Sequence, residues 1–201
     1  ISPECGFVDG KLISDTGELV FDPEHAIFEV HTPHCGYFSG APKKSLHLSE
    51  IIEIQSGNER ISVSLLPMKE KDLEQAEEYI LTAMGTTGMD QTTYNEGVQL
   101  MGVPFTSVHF AGKLYVEPLE GSLLVKANEA SLTALDPTGN EIRSFTGKKT
   151  EKGIEFSITG EIPAVQYYLK AKCLCIKNYT EFVRISTKKK TAAVKKILQI
   201  Q

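Results

Sequence analysis

Residues 28–40 read FEVHTPHCGYFSG and place His31, His34 and Cys35 within five positions, beside Pro33 and Gly36. Imidazole and thiolate are metal ligands, and a thiol beside an imidazole is also a nucleophile with its base. Neither chemistry fits the spacing. In an extended segment, residues three apart lie on opposite faces and about 10 Å apart along the chain, so His31 and His34 do not share an ion. Thr32 precedes a proline and prefers extended geometry. Pro33 has no N–H for a ladder and suits a strand end, and Gly36 permits a bend. Structural zinc needs four ligands, and no CxxC pair stands near Cys35. Sequence neighbours such as His34 and Cys35 rarely face each other as a catalytic dyad requires. The segment reads as strand and turn, and no metal site, cofactor or catalytic residue is expected in this chain.

The remaining cysteines add no redox chemistry. Cys173 and Cys175 sit two apart in AVQYYLKAKCLCIK, so on a strand both point to one face with Val165, Tyr167, Leu169 and Ala171. Buried, reduced thiols packing as small hydrophobes are expected there. Cys5 and Cys35 can pair only if the fold brings them together.

The elements that position these residues are short strands. Runs such as IFEVH at 27–31, LHLSEIIEIQS at 46–56, ISVSLLP at 61–67, YILTAMG at 79–85, VPFTSVHF at 103–110 and GIEFSITG at 153–160 recur between turn signals such as DTGE, SGNE and KKTEKG. About a dozen such strands at this spacing predict an all-β fold, an antiparallel β-sandwich with one or two short helical turns. LDPTGNEI marks a hairpin, with Pro137 at the first turn position and Gly139-Asn140 tolerating positive φ. The helical pieces are expected near 69–79, where Leu73, Ala76 and Ile80 share a face, and near 190–198.

The chain has 201 residues, 41% hydrophobic and 23% charged, which suits one globular unit with a sizeable core. Its net charge of −5 conceals two parts. Residues 1–169 carry 12 basic and 25 acidic side chains, whereas residues 170–201 carry 9 basic ones and a single acid, Glu181. The division follows: a β-sandwich over 1–176, then a basic tail over 177–201 with a short helix, expected to be held more weakly than the body, either folded back on its acidic surface by attraction that salt screens or simply solvated. No apolar run approaches the roughly 18 residues of a membrane span. Neither a membrane span nor nucleic acid is an expected partner. The chain starts at Ile1, as an excised or processed piece of a larger protein does.

GKLISDTGELVFDPEHAIFEVHTPHCGYFSG resembles the opening of the β-sandwich that follows the catalytic barrel in large bacterial glycoside hydrolases. Ser14 to Leu19 match its S-D-T-G-E-L element, and Thr32, Pro33 and Gly40 its T-P element and glycine turn. ISVSLLPMKEKDLEQAEEYILTAMGTTGM and GKLYVEPLEGSLLVKA are similar to later parts of the same domain. The likeness spans about residues 10–170. His34 stands where that family often has Arg, and the chain has no Trp where the family often has one before the late hairpin. The resemblance implies a non-catalytic accessory domain that packs on the barrel in cis and borders the carbohydrate cleft, within a larger bacterial enzyme, cytoplasmic or secreted. A (β/α)₈ barrel takes about 250 residues, so the chemistry lies elsewhere. The acids here, such as Glu18, Asp22, Glu117 and Glu120, flank turns, and solvation explains them more simply than a catalytic pair. An independent carbohydrate-binding module is the alternative. Its polysaccharide platform would draw on Tyr37, Phe38, Tyr94 and Tyr115, each of which is a core candidate as well. An apolar docking patch near Tyr37, Phe38, Met101 and Phe105 is expected if a barrel is the partner.

Overall fold

The computed structural model describes residues 6–42, 45–69, 71–91, 93–100, 103–109 and 111–172, without the side chains of 94–100 and 103–107. It is all-β, as the strand spacing predicts. The first strands form a meander, β1 (Gly6–Val8), β2 (Lys11–Ile13), β3 (Leu19–Asp22), β4 (Ile27–Thr32) and β5 (Cys35–Gly40). Next come β6 (Leu46–Ser49), β7 (Ile52–Ser56), β8 (Ile61–Pro67) and the 12-residue β9 (Glu78–Met89). A ribbon follows, β10 (Thr93–Leu100), β11 (Val103–His109) and β12 (Leu114–Pro118). The chain then adds β13 (Gly121–Val125), β14 (Glu129–Leu135), β15 (Glu141–Phe145), β16 (Lys148–Thr150), β17 (Gly153–Ile158) and β18 (Gln166–Lys172).

Two antiparallel sheets pack face to face. The larger has the order β1-β2-β3-β4-β5-β8-β9-β18-β14-β15, with β12 joining β9, and the smaller has the order β16-β17-β13-β7-β6. Their facing residues follow the two-residue period. Phe38, Ile61, Val63, Leu65, Tyr79, Leu81, Leu132, Tyr167 and Leu169 come from the large sheet, and Leu46, Leu48, Ile52, Ile54, Leu123, Val125, Phe156 and Ile158 from the small one; all are buried. Such alternation on both sheets is what a sandwich core requires. Where β5 faces β6 of the other sheet, a Cβ at Gly36 would run into the Leu48 carbonyl oxygen. Gly36 is thus needed for backbone approach within β5. The bend lies instead at Pro33-His34, since Thr32 pairs with Cys35.

The expected helix near 69–79 is a single turn. Ala76 N and Gln75 N both donate to Asp72 O, at 2.9 and 3.0 Å, and no helix occurs among the described residues. Leu73 and Ala76 are buried as anticipated, but Ile80 lies in β9 and is only partly buried, and the neighbouring Tyr79 fills the core. Its hydroxyl donates toward Leu73 O and Ala76 O at 2.7 and 2.6 Å, which pins the turn to the sheet. The DPTGN hairpin forms as read, with Gly139 N donating to Asp136 O and Gly139 at φ 88°. The run at 46–56 is two strands, because Ser49 pairs with Ile52 across a tight turn. Cys5, Cys173, Cys175, Met101 and the basic tail with its expected helix lie outside the described residues. Among those described, no helix is long and apolar enough to cross a membrane.

Candidate functional site

The histidine segment forms the tip of the β4–β5 hairpin, and its two imidazoles engage different neighbours. His31 Nε2 lies 3.6 Å from Glu29, while His34 Nδ1 lies 3.4 Å from Asp72 and 3.3 Å from Lys71 O. Cys35 is a free, partly buried thiol, and desolvation pushes its pKa up, away from a reactive thiolate. No group of three or more His, Cys, Asp or Glu side chains among the described residues is placed to hold a metal. A half-open cleft of about 540 Å³ does adjoin the hairpin, lined by His31, Pro33, His47, Glu50, Asp72 and Lys126 among others. Its charged groups are of mixed sign and have solvent access, with His31 and His47 exposed.

The acids at turns have structural duties that bare solvation does not describe. Asp22 is 9% exposed; burial pushes its carboxyl up, but hydrogen bonds from His25 and the charges of His25 and Lys11 hold it below its ordinary range. Glu117 accepts from Thr86 N at 2.9 Å, and that bond together with Asn58 lowers its pKa. Glu18 accepts from the Thr16 hydroxyl at 3.0 Å. Glu120 contributes its backbone N–H, which donates to Asn58 at 2.9 Å.

The four aromatic candidates separate. Phe38 is 5% exposed and belongs to the core, so its ring offers no face to a sugar or a neighbouring domain. Tyr37 lies on the opposite, outer face of β5, partly buried, 5.9 Å from the Phe28 ring and with its hydroxyl 3.3 Å from Ser62 Oγ. Tyr94 and Phe105 sit on β10 and β11, with side chains outside those described. Tyr115 is half exposed; it pairs with Gly88, where a Cβ would strike its ring, so the ring lies over bare backbone.

The largest unexplained feature surrounds Tyr37. Cross-strand pairing aligns Phe7 with Leu12, Leu12 with Phe21, and Phe21 with Phe28, and a second row aligns Leu19 with Val30 and Val30 with Tyr37. Directly paired residues share a face, and this one points away from the small sheet. Phe7, Leu12, Leu19, Phe21 and Phe28 are all exposed, and a groove of about 250 Å³ runs among the last four. The sequence pattern does not announce this patch: β1 and β2 are three-residue strands outside the alternating runs, so the register that stacks their apolar side chains is invisible in it.

No protein-family model, curated protein or solved structure matches this chain.

Proposed function

We propose that this chain is a non-catalytic β-sandwich accessory domain of a multidomain glycoside hydrolase, with the outer face of β1–β5 packed against the catalytic barrel and the domain bordering the carbohydrate cleft. The apolar outer face carries the reading. Five large exposed side chains in aligned rows mark a surface that another body covers. A barrel presents the helical exterior and loop rim that such a flat sheet can cover. The motif resemblance over residues 10–170 supplies the class of partner.

The test combines activity, glycan binding and docking. The isolated chain should hydrolyse no glycoside and should show weak or no binding in calorimetry and on a glycan array. It should associate with a glycosidase barrel encoded beside it, and Leu12→Lys with Phe21→Lys should abolish that association. Tight binding to one glycan, lost in Tyr37→Ala, Tyr94→Ala or Tyr115→Ala, would replace this reading with an independent binding module. Turnover that survives repurification would overturn both.

A further inference from the structure

Strand β9 outgrows its sheet. Its first half lies between β8 and β18, but from Met84 onward its partner is β12, through Thr87 with Val116, Gly88 with Tyr115 and Met89 with Leu114. The ladder continues beyond both strands. Asp90 N donates to Lys113 O at 3.1 Å and Gln91 N to Ala111 O at 3.2 Å, and Thr93 then pairs with His109, through to Leu100 with Val103. The described residues between 84 and 118 therefore run as one two-stranded ribbon. Beyond Met84, no third strand pairs with it among the described residues. A two-stranded ribbon is marginal by itself in water.

Among the described residues nothing pairs with the outer edge of β12, which is apolar. Lys113 turns both backbone groups toward β9, its carbonyl accepting from Asp90 N and its N–H donating to Asp90 Oδ1 at 2.8 Å. Alternation then turns Tyr115 toward Gly88, and turns the N–H and C=O of Leu114 and Val116 outward. The side chains of those two residues are 71% and 39% exposed. Monomeric proteins avoid edges of this kind or guard them with charge, bulges or proline; here Lys113 and the bulge before Pro118 lie at the two ends, and Leu114 to Val116 between them carry no such guard.

The sequence of this edge is its own antiparallel complement. Leu114-Tyr115-Val116, turned about Tyr115, sets Leu114 opposite Val116 of a second copy and Tyr115 opposite itself. The outward groups of 114 and 116 then meet as hydrogen-bonded pairs, and 115 meets its copy at the closer, non-hydrogen-bonded position. One face of the pairing covers Leu114 with Val116 twice, and on the other the two Tyr115 rings meet, while Glu117 stays with Thr86 N and Asn58 of its own chain. We propose that this chain self-associates through β12, pairing antiparallel with β12 of a second copy about a two-fold axis at Tyr115. Such an isologous contact closes on itself and yields a dimer. It is independent of the carbohydrate reading and uses a surface separate from the β1–β5 face.

Sedimentation velocity of the full chain up to about 100 μM should show a concentration-dependent monomer–dimer equilibrium. Leu114→Lys sets a charge against Val116 of the second copy twice over and should weaken it at least about tenfold. Val116→Pro removes an outward donor and leaves the β9 ladder intact, so the dimer should vanish while the β circular-dichroism spectrum persists. Tyr115→Cys should oxidise to a 115–115 disulfide, identified by mass spectrometry, because a non-hydrogen-bonded antiparallel pair sets Cα atoms about 4.5 Å apart. Leu114→Cys faces Val116 and should give no 114–114 link. A monomer at every concentration would overturn the proposal, as would a dimer that survives Val116→Pro and forms no 115–115 disulfide. An edge reserved for a strand of some other protein would appear as the first of these outcomes.

Discussion

Asn58 and Asp22 are the two buried polar residues among those described, and each ties segments together. Asn58 donates to Pro118 O at 3.1 Å and accepts at Oδ1 from Glu120 N and the Ser56 hydroxyl, fastening the end of β7 to the β12–β13 connection. Asn58→Ala should cost about 1–3 kcal/mol in a denaturant melt, because it strands the part-buried Glu120 N–H and Pro118 carbonyl together. Asp136 works at the surface. Its carboxyl is held down at about 2 by the Thr138 hydroxyl, by Asn140 N and by the Asn140 side chain. That folded value lies below the roughly 3.9 of an unfolded aspartate. Its contribution is therefore full above about pH 4 and is lost as pH falls through about 2. An NMR titration of the Asp136 carboxyl carbon should have its midpoint near 2, and Asp136→Ala should remove the acid-sensitive stability in that window. The sequence discloses Asp136, because D-P-T-G-N carries its own turn chemistry. It does not disclose Asn58, whose partners lie about 60 residues away. It also does not tell Tyr37 from Phe38: adjacent aromatics must face opposite sides of a strand, and only the register says which is inside.

Elements with their own punctuation were readable, and elements shaped by tertiary contact were not. Strands β8 and β17 alternate cleanly between turn residues and lie where the pattern sets them. LHLSEIIEIQS has no glycine or proline to announce its break, yet it folds into β6 and β7 because Leu46, Leu48, Ile52 and Ile54 all reach the same core. The histidine segment was correctly read as strand and turn, but with the bend at Gly36 rather than at Pro33-His34. Gly36 answers to the neighbouring sheet. Gly36→Val should therefore destabilise the chain strongly, since the obstacle is the Leu48 backbone and cannot swing aside. A cost of about 2 kcal/mol or more is expected from overpacking of this kind. Gly139→Ala places a methyl in open space and bears only the strain of its positive φ, so it should cost about 1 kcal/mol. Comparing the two melting temperatures separates close approach from backbone conformation as the reason for a glycine.

At the scale of the molecule, the two sheets are unequal, and the imbalance is what suggests function. The large sheet runs on through β1–β4 past β6, the edge strand of the small sheet. In an ordinary sandwich the outer face of such an extension is polar. Here that face carries Phe7, Leu12, Leu19, Phe21 and Phe28, while Asp22, Glu29 and His31 point the other way, toward the side of the small sheet. Two accounts make opposite predictions. If the face is a docking surface, Leu12 and Phe21 keep 46% and 38% of their surface in water in the folded chain, and replacing them removes only a partial burial. Leu12→Lys with Phe21→Lys should then shift stability by no more than about 1 kcal/mol, the usual range of two surface substitutions. Binding of a hydrophobic dye should fall in the same variant. If instead the face belongs to a core completed from within the chain, the same pair should behave like core truncations. Leu65→Ala sets that scale, since Leu65 is fully buried and its loss should cost about 2–5 kcal/mol. The docking account therefore expects the double lysine variant to melt close to the parent chain, well above Leu65→Ala. A double variant that unfolds with Leu65→Ala would mean that the apolar face serves the fold and not a partner.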